Sequence, residues 1–105
     1  MFHNDFSSVE DVISKYGINQ SELEGATIIH ADYTYEYYDG SSYVLFHKGG
    51  KFHEVYGSHC SCYGLEDQWD PEEVKVADLL ARPDSYNFKS DLVLADLYDF
   101  LRNRR

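Results

Sequence analysis

The chain has 105 residues, a formal net charge of −10 and an aromatic share of 16%. That length suits one domain, the aromatics exclude a disordered chain, and the charge repels a phosphate backbone, so direct nucleic-acid binding is not expected. No apolar run approaches the roughly 18 residues of a membrane span, and Met1 to Phe6 lack the basic and apolar regions of a signal peptide. A cytoplasmic protein is therefore expected.

Ser7 and Glu10 stand at capping-box spacing and predict a helix over residues 7–16, with Val9, Val12, Ile13 and Tyr16 on one face. Gly17 is placed to end it in the left-handed conformation. Asn19 to Glu24 reads as a polar link. From Ala26 to Tyr38 the period becomes two, with Ile29, Ala31 and Tyr33 on an apolar face and His30, Asp32 and Thr34 on a polar one. Asp39 to Ser42 is turn chemistry, with Gly40 free to take positive φ. Tyr43 to Lys48 and Lys51 to Tyr56 then flank Gly49-Gly50, a strong hairpin signal. Pairing Lys48 with Lys51 sets Val44 against Val55 and Phe46 against His53.

Asp70-Pro71-Glu72-Glu73 reads as a helix start, with an aspartate N-cap and proline at the first helical position. Val74, Ala77, Leu80 and Ala81 would form its buried stripe, and Pro83 would stop it. A last helix starts at Ser90 or Asp91, with Val93, Leu94, Leu97, Tyr98, Phe100 and Leu101 as a wide apolar face. Arg102, Arg104 and Arg105 suit the negative end of its dipole. The expected fold is one α+β domain over residues 1–105. It comprises a three-stranded antiparallel β-meander with an N-terminal helix and two C-terminal helices packed on one face of the sheet.

Three features could carry chemistry. His59, Cys60 and Cys62 are soft ligands within four residues, and His53 or His47 could complete a zinc set. In a reducing cytoplasm both cysteines are expected as thiols, and small hydrophobic side chains in a tight turn beneath the sheet account for them better than a metal does. A thiol nucleophile would need a base such as His30 or His53, and no elbow or protease-like pattern surrounds either cysteine. Second, Glu66, Asp67, Asp70, Glu72 and Glu73 form an acidic run without the spacing of a calcium loop. Helix capping absorbs Asp70 and Glu73, leaving Glu66, Asp67 and Glu72 as an acidic docking surface. Third, the tyrosines around the first turn, with Tyr35, Tyr37 and Tyr38 foremost, would present a protein-binding surface where they are not core. No phosphate-binding glycine loop occurs.

The block from His59 to Glu73, His-Cys-Ser-Cys-Tyr-Gly-Leu-Glu-Asp-Gln-Trp-Asp-Pro-Glu-Glu, entered from Phe52 to Gly57, resembles a family of small conserved proteins encoded by bacteriophages and bacterial genomes. The resemblance spans residues 25–80 and implies a prokaryotic or viral setting without transferring any catalytic role. Small acidic phage proteins commonly bind a host protein, for example as inhibitors of restriction or CRISPR systems.

Two readings of different classes follow. The leading one is a non-enzymatic, acidic, phage-type binding protein that occupies a basic site on a host nucleic-acid-handling protein in the host cytoplasm, without cofactor. The alternative is a small metal- or thiol-dependent enzyme centred on His59, Cys60 and Cys62, with zinc as its ion. An edge strand and surplus aromatics leave room for a homodimer.

Overall fold

Lys48 lies opposite Lys51 across Gly49-Gly50, both glycines being left-handed at φ 63° and 79°, as a two-residue hairpin turn requires. That register organises the sheet. A computed structural model describes residues 2–4, 6–36, 39–59, 64–66, 68–81 and 91–103. In chain order the elements are β1 (Phe2–Asn4), α1 (Val9–Tyr16), a 3-10 turn (Gln20–Leu23), β2 (Thr27–Glu36), β3 (Asp39–Lys48), β4 (Lys51–His59), β5 (Glu72–Val74), α2 (Val76–Ala81) and α3 (Asp91–Asn103).

The fold is α+β, and its sheet is larger than the expected meander. Among the described residues it has five strands in the order β1-β2-β3-β4-β5. The meander β2-β3-β4 is antiparallel. β1 adds in parallel beside β2, Phe2 opposite Ala31, and β5 adds antiparallel beside β4, Val74 opposite Phe52. Each added strand has three residues, too few for an alternating pattern to stand out.

β5 also corrects the expected helix start at Asp70. Glu72 and Glu73 pair with Glu54 and His53, and Val74 is buried, so edge pairing overrides the local capping signal. The helix begins at Val76, where the Lys75 carbonyl accepts from the Asp78 and Leu79 amides. Val76 and Leu79 pack in the core, whereas Ala77 of the expected stripe is exposed.

The first turn differs too. β3 already begins at Asp39, opposite Glu36, so Gly40 lies in a strand rather than a turn. A Cβ there would come within 2.4 Å of the Thr34 carbonyl oxygen, which makes it a close-packing glycine. Tyr37 and Tyr38 lie outside the described residues, as do Pro83, Arg104 and Arg105.

Both faces of the sheet are covered, contrary to the single covered face expected. One core holds Val12 and Tyr16 of α1 with Ile28, Ala31, Tyr33, Val44, Phe46 and Val55. The other holds Leu79 of α2 and Val93 and Leu97 of α3 with Ile29, Tyr43 and Leu45. A register shift between Ile28 and His30 makes Ile29 the extra residue of a β-bulge. It puts Ile29 and His30 on the α3 side and leaves Ile28 with Ala31 and Tyr33 on the other, and so breaks the simple alternation read from Ile29, Ala31 and Tyr33. Tyr98, assigned by spacing to the apolar face of α3, is 47% exposed.

α1 is bounded much as the spacing predicts, one residue along. Ser8 is the N-cap and its hydroxyl accepts from the Asp11 amide at 3.3 Å. The Asp11 carboxylate takes the Ser7 hydroxyl at 2.6 Å and the Ser7 amide at 2.9 Å, and these bonds hold its pKa below the usual carboxylate range. At the other end Gly17 has φ 64°, with Gly17 N–H bonded to the Ser14 carbonyl and Ile18 N–H to that of Ile13, a Schellman closure.

The last residue of α1 fastens the helix to the sheet. Tyr16 is fully buried, and its hydroxyl donates to Ser42 Oγ at 2.8 Å. Ser42 pairs across the ladder with Gly57, where a Cβ would come within 2.8 Å of both the Tyr16 hydroxyl oxygen and Leu65 Cδ2. Glycine makes the notch that the phenol fills. Gly57→Ala is therefore expected to cost about 1–3 kcal/mol in urea unfolding, as overpacking does, with the denaturant slope unchanged.

Burial pushes the Tyr16 phenol up to about 12, against a smaller opposing effect of the Ser42 hydrogen bond. Above pH 10, the unfolded chain releases a proton that the folded chain still holds, so stability present below pH 10 falls away towards pH 12. A shift of this size amounts to about 2–3 kcal/mol. Tyr16→Phe is expected to flatten that part of the alkaline unfolding curve, followed by circular dichroism; an unchanged slope would assign the loss to other groups.

Candidate functional site

The stretch that the sequence singles out after β4 is, where described, a structural clasp. β5 covers β4 only over Phe52 to Glu54. Beyond it the Gln68 carboxamide takes the place of a neighbouring strand. Its Oε1 accepts from the Ser58 amide at 2.8 Å and its Nε2 donates to the Ser58 carbonyl at 2.6 Å. The same Nε2 donates to the Gly64 carbonyl at 2.6 Å, closing the loop on itself. Leu65 is buried under this loop. Trp69 stands edge-on to Tyr16 at 5.1 Å and stacks on Phe46 at 5.7 Å, so it anchors a loop to the sheet and α1, not the helix that the sequence suggested.

The expected zinc set does not assemble with His53. His53 and His59 belong to one strand, six residues apart, or about 20 Å at strand rise. His53 instead stacks on Phe46 at 5.1 Å, and His47 lies against Phe52 and Phe100. Cys60 and Cys62 lie outside the described residues. Among those described, no three histidine, cysteine or carboxylate groups gather to hold a metal.

Two of the expected docking residues, Tyr35 and Glu72, lie far apart on the sheet. The Tyr35 backbone pairs with Gly40, while Glu72 pairs with Glu54. Five residues along the sheet and three strands across it separate the two, or about 17 Å and 14 Å. Glu66 and Glu72 are exposed, and Tyr37, Tyr38 and Asp67 lie outside the described residues.

Two polar contacts sit in the core on the α3 side, and His30 is at a position that strand alternation assigns to a polar face. His30 Nδ1 lies 2.9 Å from Asp96 Oδ2, with the imidazole 2% exposed. The Tyr43 hydroxyl donates to Glu54 Oε2 at 2.9 Å, both residues being buried. An imidazole oriented by a carboxylate is the geometry of a general base. Sealed from solvent, this one acts instead as a tie between β2 and α3.

A concave surface lies elsewhere among the described residues. α1 and the 3-10 turn flank an open groove of ≈ 580 Å³, a size typical of ligand sites. Its floor is Val9, Ile13 and Leu23, its polar lining Ser14, Gln20 and Ser21, and its acidic members Glu10 and Glu24. Both glutamates are exposed. Lys48 Nζ holds the turn from behind, donating to the Glu22 carbonyl at 3.1 Å and the Ser21 carbonyl at 3.4 Å. Sequence reasoning placed these residues on a helix and a polar link and missed the groove between them. The available signal was Leu23, an apolar residue between two glutamates in an otherwise polar link.

No protein-family model, curated protein or solved structure matches the chain. No helix among the described residues is long and apolar enough to cross a membrane.

Because neither His47 nor His53 lies near His59 along the sheet, a zinc set completed by either histidine is not expected. Dialysis against EDTA should leave the thermal midpoint unchanged and release less than stoichiometric zinc by elemental analysis. A lowered midpoint restored by added zinc would instead make the cluster a metal centre.

Proposed function

We propose that this chain is a non-enzymatic binding protein that occupies a basic site on a host nucleic-acid-handling protein, in the manner of anti-restriction or anti-CRISPR inhibitors. The observation that supports this reading is the disposition of charge. Glu10, Glu22, Glu24, Glu66, Asp70, Glu72 and Asp78 are exposed, and they contribute to a net charge of −10. Carboxylates so placed compete with phosphates for the same cationic groove, and complementary fields speed the encounter. The expected setting is the cytoplasm of the host cell, and no cofactor takes part.

The test begins with affinity capture from host extract and identification of the bound protein by mass spectrometry. The identified partner is expected to bind nucleic acid and to release this chain when nucleic acid is added. Its affinity, measured by calorimetry, is expected to fall steeply between low and high ionic strength. An affinity indifferent to salt would sink the charge-based reading.

A further inference from the structure

We propose that the groove between α1 and the 3-10 turn seats a peptide segment carrying bulky apolar side chains between lysine or arginine residues. The inference rests on the reading of the chain as a binder of basic protein surfaces and names the place and side-chain chemistry of that contact.

Three observations carry it. The groove has a hydrophobic floor of Val9, Ile13 and Leu23, which rewards an aliphatic side chain and gives a purely charged ligand nothing to bury. Its charged lining residues are Glu10 and Glu24, one on each wall, so a cation beside the aliphatic anchor meets a carboxylate on either side. The walls are held before any ligand arrives: Asp11 and Ser7 brace the start of α1, Gly17 closes its end, and Lys48 pins the turn. A pre-formed groove loses less freedom on binding than a flexible one. Charge complementarity selects a basic peptide over an acidic or neutral one, and the open shape admits a chain passing through.

The test uses the full chain, labelled with nitrogen-15, and a blocked hexapeptide of sequence lysine-arginine-leucine-leucine-arginine-lysine. A control peptide replaces both leucines with serine at the same charge. Saturable amide shifts are expected at Ile13, Ser14, Gln20 and Leu23. Loss of the leucine anchor should weaken binding about tenfold or more, as burial of one such side chain implies. The exposed double variant Glu10→Gln with Glu24→Gln should weaken it severalfold while keeping the folded spectrum. Equal binding of both peptides, or shifts centred on Glu66 to Glu73, would overturn the groove and leave the acidic-binder reading intact. No binding of either peptide at low salt would overturn the groove, whereas failure of the broader reading would appear in the partner's salt response.

Discussion

The phenol of Tyr16 is the contact on which the rest depends. One hydroxyl, donated to Ser42 Oγ, joins the end of α1 to the middle of the sheet, and the ring fills the place that a side chain on residue 57 would take. Trp69 closes over the ring from the other side and reaches on to Phe46, so helix, sheet and loop meet around one aromatic group. A buried hydroxyl with its partner in place is close to neutral in energy, but losing either member strands the other in a dry interior. The arrangement therefore specifies one position for α1 more than it adds stability.

The second constraint is the bulge at Ile29. Without the extra residue, strict alternation would set Ile29 on one face with Ala31 and Tyr33, and Ile28 on the other with His30. With it, Ile29 and His30 share the α3 side while Ile28 joins Ala31 and Tyr33 in the other core, and the His30 imidazole meets Asp96. The bulge shifts the phase of alternation along β2, which period-two patterning alone keeps fixed.

How far the sequence discloses this molecule follows from the range of each interaction. The β3–β4 hairpin and its register can be read directly, since two glycines and flanking alternation are local. So can the closure of α1 at Gly17. The edge strands cannot: β1 and β5 exist because β2 and β4 have open edges, which is knowledge of the sheet and not of residues 2–4 or 72–74. The capping signature at Asp70 is sound chemistry defeated by such a partner. His30 looks like a solvent-facing polar position until α3 is placed over it. The candidate groove escaped for the same reason, being a relation between two elements whose separate sequences say only "helix" and "polar link". The acidic run was legible as charge, and the distance of its Glu72 from Tyr35 was not.

The Gln68 carboxamide has a chemical consequence. It offers one donor face and one acceptor face to a peptide unit, so its side chain works as a short piece of backbone. Glutamate has nearly the same shape but would set a second acceptor against the Ser58 carbonyl, and asparagine is one methylene too short to span the gap. Slow deamidation at this position would convert an attraction into a repulsion without altering side-chain size, and would unzip the margin of β4 from a single atom.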